Sequence, residues 1–333
     1  MSDHRTRGRE GTAAAILRRF SSLLGLALMC LALSLTSEHF FTVDNLMNVF
    51  RQSAVNALLG FGQLAVIITA GIDLSVGSIL GFCCVLVALM LKAGTPSWLA
   101  LPAALAAGTV LGLINGVLLT KLRLPHPFIP TLGMMNVARG LALVISGGFA
   151  ISELPASFRF WGSGTVAHIP VPVLVVVLFC VLFHLLLTRT TPGRDIYAIG
   201  GNKQAALLSG VPVDLRLNTV YAMSGFMSAV AAIVLAGRMN SGFPLAGMGA
   251  ELDAIAAVII GGASFFGGVG AVGGTLVGAL IIGVLRNGLN LLDVSAYWQT
   301  VVIGAVIVIA VWVDVLRQQA AAWRKRSSVE MNQ

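Results

Sequence analysis

The chain has 333 residues, of which 57% are hydrophobic and 10% charged. Soluble globular chains are nearer one quarter charged, disordered ones invert this balance, and one soluble core could not hide so much apolar surface. The formal charge of +8 comes with only 3 Tyr and 5 Trp; a nucleic-acid binder would set its basic residues among aromatics. What remains is an all-α polytopic membrane protein.

In chain order, Arg5, Arg7, Arg9, Arg18 and Arg19 precede an apolar run over 20–35. The next residues, Thr36, Ser37, Glu38 and His39, form no small-x-small cleavage site, and Met29 before Cys30 does not fit a lipoprotein signal. The run is therefore expected to be an uncleaved first helix. Ten apolar runs are candidate spans: 20–36, 52–70, 75–92, 97–120, 127–147, 170–188, 215–236, 251–267, 271–291 and 297–316. A span needs about 20 apolar residues.

Basic residues orient this map. With the N-terminus inside, the inner segments hold most of the 21 Lys and Arg: the five N-terminal arginines, Lys121, Arg123, Arg189, Arg194, Lys203, Arg216, Arg317, Arg324, Lys325 and Arg326. The outer segments hold Arg51, Lys92, Arg159 and Arg238. The pattern predicts cytoplasmic tails over 1–19 and 317–333, one transmembrane domain over 20–316 and an inner loop over 189–216. Cys30, Cys83, Cys84 and Cys180 all lie in apolar runs without metal or redox spacing and are expected to be packing residues.

The fourth run carries Gly108, Gly112 and Gly116, and the ninth carries Gly270, Gly274 and Gly278. Small residues at i, i+4 and i+8 line one helix face and let two backbones approach. The two runs are an odd number of spans apart, so they cross in opposite directions. That predicts an inverted repeat of spans 2–5 and 7–10; the rival explanation is chance, because the chain has 38 Gly.

Polar residues at membrane depth are functional suspects, because lipid penalises them. Asp73, Asn115, Asn136, Arg139, Glu251, Asp253, Arg286 and Asn287 are the candidates for a translocation path, with His184 expected to be structural or interfacial. Asp73, in GIDLSVG, is expected to cap the third helix. Glu251 and Asp253 suit the start of the eighth. Arg139 and Arg286 are expected to pair with acids or line a polar path. The set is too sparse for a proton relay.

The inner loop opens with a helix break at Thr191-Pro192-Gly193-Arg194 and continues through a turn at Gly200-Gly201-Asn202. A short helix over 203–209 follows, ended by Gly210-Val211-Pro212. Such a helix across the inner mouth is a docking element for a partner or, on the plainer view, packs on the bundle's own end. Gly268, Gly270 and Gly273 fit G-x-G-x-x-G, with Asp293 downstream, but no strand precedes them, so a Gly-rich turn is expected. The chain has no P-loop, so ATP-driven transport would need a separate ATPase. No H-E-x-x-H or G-x-S-x-G motif points to an enzyme.

Five stretches carry a resemblance: 67–78 (IITAGIDLSVGS), 129–142 (IPTLGMMNVARGLA), 193–211 (GRDIYAIGGNKQAALLSGV), 251–278 (ELDAIAAVIIGGASFFGGVGAVGGTLVG) and 286–292 (RNGLNLL). With these, in this order, the chain resembles the membrane permease subunits of bacterial ABC importers of the ribose/galactose/arabinose type. The resemblance implies import of a monosaccharide or related polyol across the inner membrane. It implies a second permease copy, identical or paralogous, and a periplasmic sugar-binding protein. It also implies cytoplasmic ATPase subunits that hold ATP and Mg, with no cofactor in this chain. The matching loop would dock on the ATPase, through Gly193, Arg194, Tyr197, Gly200, Gly201, Asn202, Lys203, Ala206 and Ser209. Phe265-Phe266 and His126 depart from the family pattern. The competing expectation is a stand-alone secondary transporter.

Overall fold

The computed structural model describes residues 22–330; the expected N-terminal tail lies outside them. Thirteen helices are described. They are α1 (Ser22–Thr36), α2 (Val43–Ile68), α3 (Val76–Lys92), α4 (Ser97–Lys121), α5 (Phe128–Ser146), α6 (Ala156–Ser163), α7 (Val171–Arg189), α8 (Thr191–Gly201), α9 (Lys203–Leu208), α10 (Val213–Met239), α11 (Ala250–Ile260), α12 (Val272–Leu291) and α13 (Ala296–Glu330). Four two-residue strands complete it: β1 (Ile151–Ser152) pairs antiparallel with β4 (Ser241–Gly242), and β2 (Thr165–Val166) with β3 (Ile169–Pro170).

Each of the ten apolar runs contains a helix. Among the described residues six of these are long and apolar enough to cross a membrane: α4, α5, α7, α10, α12 and the first part of α13. The other four differ for physical reasons. α2 has 26 residues, but Asn45, Asn48, Arg51, Gln52, Asn56 and Gln63 interrupt its apolar surface. α1 and α3 are short, and α11 has only 11 residues, a rise of about 16 Å against a hydrocarbon core of about 30 Å. The eighth run thus yields half a crossing, because the chain turns at Gly261 and Gly262, the latter at φ +93. α13 continues to Glu330, through the stretch expected to be a tail.

The core is the pair α2 and α10, each buried along most of its length. Around them the contacts fall into corresponding sets. α4 packs on α10 and α12 on α2; α3 touches α10 and α11 touches α2; α3 meets α4 and α5, and α11 meets α12 and α13. Close approaches correspond too. Gly225 of α10 faces Gly108 of α4, and Gly60 of α2 faces Thr275 of α12. About two turns earlier on the central helices, Asn218 faces Gly116 and Ser53 faces Gly283. α2 ends, and α10 begins, at the same end of the bundle, where the residues just after α2 and the first turns of α10 line one cavity.

The glycine ladders are placed differently from one another. Gly108, Gly112 and Gly116 all press on the α10 backbone. Gly274 and Gly278 instead press on Gly261 and Ala257 of α11, and Gly270 precedes α12 altogether. The position corresponding to Gly108 is therefore Thr275, and the two ladders are not equivalent faces. Cys83 and Cys84 are buried, Cys30 and Cys180 partly so, and all four are free thiols.

Candidate functional site

The end of the bundle formed by α8 and α9 is built on local chemistry. Thr190 caps α8 by accepting from the Gly193 N–H at 3.2 Å, while its own hydroxyl donates to the Leu186 carbonyl at 2.6 Å. Gly193 itself is pressed on the Leu186 and Leu187 backbone. The stretch expected to turn at Gly200-Gly201 is the last turn of α8. Its glycine serves close approach, since a Cβ on Gly200 would strike the Ile68 carbonyl that ends α2. That carbonyl already accepts the Gly268 N–H at 2.8 Å. Tyr197 adds a bond from its phenol to the Gly270 carbonyl at 2.7 Å. Burial raises the Tyr197 pKa from its ordinary value.

Asn202 ends α8 and caps α9, its Oδ1 accepting the Ala205 N–H at 3.0 Å. Gly210, at φ +83, closes α9 by letting the Val211 N–H reach the Ala206 carbonyl. Ala206 is buried in a small cluster with Ile199, Val213 and Leu217. Arg194, Gly201, Asn202, Lys203 and Ser209 are exposed, as are two residues absent from the sequence-derived set, Leu207 at 62% and Leu208 at 89%. An apolar pair left open on a six-residue helix is the signal that could have found them. Beside α9 a cavity of about 850 Å³ reaches in to Gly71 and Tyr221, with Arg123, Lys203 and Asp214 on its wall.

Deeper in the bundle lies a sealed polar cluster. Asp73 is fully buried. One carboxylate oxygen accepts from the Ser75 N–H at 2.9 Å and from the Ser75 hydroxyl, and the other from the Ser224 hydroxyl at 2.8 Å. Asn115 donates to the Ser75 hydroxyl at 2.9 Å. With its amide turned to match, Gln63 pairs with both the N–H and the carbonyl of Asp73. The expectation that Asp73 caps the third helix needs correction. Ser75 is the cap residue of α3, and Asp73 instead ties the α2–α3 link to α10. Gln63 and Ser224 were legible by the rule that flagged Asn115, a polar side chain inside an apolar run.

The second polar region follows α10. After Asn240 the chain runs back into the bundle without forming a helix: Gly242 lies on Cys84 and Ala88 of α3, Gly247 on Gly77 at its start, and α11 begins at Ala250. Non-helical backbone at membrane depth must have its polar groups satisfied by protein. Arg139 of α5 does this, donating to the carbonyls of Pro244 at 2.6 Å, Ala246 at 2.8 Å and Gly77 at 3.2 Å. Its role is a backbone clamp, not an ion pair. Glu251, in the first turn of α11, accepts the Gly249 N–H at 3.2 Å through one oxygen. Its other oxygen is buried beside Gly77 and has no hydrogen-bond partner. Asp253, in the same first turn, faces the other way and takes a forked bond from Arg286 of α12, closest at 2.8 Å.

The remaining candidates stand apart. Asn287 and Asn45 exchange amide hydrogen bonds at 2.7 and 3.1 Å, joining α12 to α2. Asn136 is exposed on α5, bonded only to its own Leu132 carbonyl. His184 is exposed on α7. The structure thus brings Arg139 and Glu251 together at one break, and Asp73 and Asn115 at another. Among the described residues no group of His, Cys, Asp and Glu has metal-binding geometry.

A helix break held by a buried arginine among apolar helices has the build of a solute permease. The family model for the branched-chain amino acid transport system / permease component matches residues 45–311. The chain belongs to that family. Among this permease's relatives, the ribose import permease protein of Bacillus subtilis (strain 168) is 46% identical over 90% of this chain and 93% of its own. The D-allose transport system permease protein of Escherichia coli (strain K12) is 42% identical over 84% and 86%. The L-arabinose transport system permease protein of the same strain is 35% identical over 91% and 92%. The permease is an integral membrane protein of the transport class rather than an enzyme.

Proposed function

We propose that this permease is the membrane subunit of an ATP-binding-cassette importer that moves a monosaccharide or related polyol across the bacterial inner membrane. The ribose, allose and arabinose named for its relatives support the substrate class. In this reading the chain crosses the membrane ten times, with α11 and the non-helical stretch before it making one crossing between them. Both termini and the α8–α9 end are cytoplasmic, in keeping with the basic residues gathered there. The corresponding contacts of α2–α5 and α10–α13 support an inverted repeat, and its two halves rock against each other to alternate access.

The observation that carries the reading is α9, which holds Leu207 and Leu208 out from the end of the bundle. Burying one such leucine against a partner contributes about 2 kcal/mol. The partner is a cytoplasmic ATPase that binds ATP and Mg. Solute arrives from a periplasmic sugar-binding protein, and a second permease copy completes the membrane unit. An ATPase drives transport only by binding one state of the bundle better than the other.

Affinity purification of the permease from its native membrane in mild detergent tests this. A P-loop ATPase should co-purify, and Leu208→Asp should release it while the permease stays folded. Recovery of the wild-type permease without an ATPase, together with ion-driven sugar uptake by the purified chain in liposomes, would overturn the reading.

A further inference from the structure

We infer that Tyr197 is a positioning residue, whose hydrogen bond to Gly270 carries movement of α9 sideways into the α11–α12 loop and so to α11. The inference rests on the importer reading above. α8 stands between a fixed corner and an elbow: Thr190 and Gly193 lock it to the end of α7, and Asn202 joins it to α9. Anything that pushes α9 therefore pushes α8. α8 is in turn joined to elements remote from it in sequence. Its Gly200 abuts the Ile68 carbonyl and the backbone of Gly267 and Gly268, and its Tyr197 phenol holds the Gly270 carbonyl at 2.7 Å.

The α11–α12 loop is thus gripped at two points. Beyond the grip, Gly274 and Gly278 of α12 press on Gly261 and Ala257 of α11 without intervening side chains, so the start of α12 and the end of α11 move as one body. The far end of α11 carries Glu251, with its unpartnered oxygen, against α3, and the segment clamped by Arg139 just before it. A second route leads from α8 to α10 through Asp195 and Arg216 at 2.8 Å, but it does not reach the α11–α12 loop. The phenol is the side-chain link to that loop, and it is separable from packing because Phe preserves the ring.

The test uses the complete importer in lipid vesicles, with its ATPase and sugar-binding protein, and reads sugar moved per ATP hydrolysed. Tyr197→Phe removes only the hydroxyl that faces Gly270 and keeps the ring, so sugar moved per ATP should fall about threefold to tenfold, the worth of one lost hydrogen bond, whatever the change in ATP hydrolysis itself. Asp195→Asn leaves the Tyr197–Gly270 bond in place and should keep sugar moved per ATP within about twofold of the wild type. A wild-type ratio in Tyr197→Phe overturns the relay and leaves the importer reading intact. Failure of the unmodified complex to couple sugar movement to ATP overturns both. A measurement that needs no variant is amide hydrogen exchange over 261–271. ATP binding to the wild-type complex should change protection in that loop, and unchanged protection there also overturns the relay.

Discussion

The bundle contains two breaks in its central helices, and they are held by different means. The link over 69–75, between α2 and α3, is anchored by short neutral side chains around one buried carboxylate: Gln63, Ser75, Asn115 and Ser224 around Asp73. The stretch over 240–249, between α10 and α11, is held by one long cation, Arg139, reaching from α5. The first is sealed, with Asp73 and Ser75 wholly buried. The second is partly open, with Met248 77% exposed. A cluster of short side chains has few rotamers to lose and holds one geometry, whereas the long Arg side chain has more rotamer freedom with which to follow carbonyls that move. The contrast predicts that the first break acts as scaffold and that the second moves.

Substitutions can break or sharpen this contrast. The largest effect is expected from Asp73→Ala, which strips acceptors from the Ser75 N–H and the Ser224 hydroxyl. A loss of about 3 kcal/mol should appear as poor recovery of folded protein and a lower unfolding temperature in detergent. Arg139→Met leaves the Pro244 and Ala246 carbonyls without a donor and should cost about 2 kcal/mol. Sugar uptake should be abolished while monodisperse protein is still recovered; unimpaired uptake would contradict the assignment of motion to this break. Ser224→Ala removes one hydrogen bond from the sealed cluster, about 1 kcal/mol, and should lower the unfolding temperature slightly with uptake per folded molecule unchanged. Glu251→Gln is the smallest in stability, below about 0.5 kcal/mol, yet uptake by the folded variant should fall. A result in which Ser224→Ala slows uptake and Glu251→Gln does not would invert the two roles.

Much of the fold was legible because lipid makes hydropathy decisive. The ten apolar runs, and the placing of Glu251 and Asp253 at the start of a helix, follow from residue type alone. The partners of Arg139 did not, because it binds carbonyls, which every residue carries, and no sequence pattern marks which will be left unpaired. Gly200 misled for a related reason. Glycine signals a turn, but here it serves the contact between α8 and the end of α2, and Thr190 and Pro192 had already set a helix going. The ladder at Gly270, Gly274 and Gly278 failed as a repeat marker because its first member precedes the helix, while the corresponding contact is made by Thr275, which no glycine pattern reveals. The apolar pair Leu207 and Leu208 is easily lost in an apolar chain, and what sets it apart is a helix of six residues, too short to bury it in the membrane.

The exchange of hydrogen bonds between Asn45 and Asn287 has a mechanical consequence. Two primary amides, each both giving and receiving, fix the rotation and the register of α2 against α12, because sliding either helix by one residue undoes both bonds together. Interhelical bonds of this kind contribute only about 1 kcal/mol each, but they sit at one end of the pair, and the Gly268 N–H on the Ile68 carbonyl ties α2 to the α11–α12 loop at the opposite end. α2 is thus tied to α12 at one end and to the loop that leads into α12 at the other, so sliding one helix along the other would break bonds at both ends.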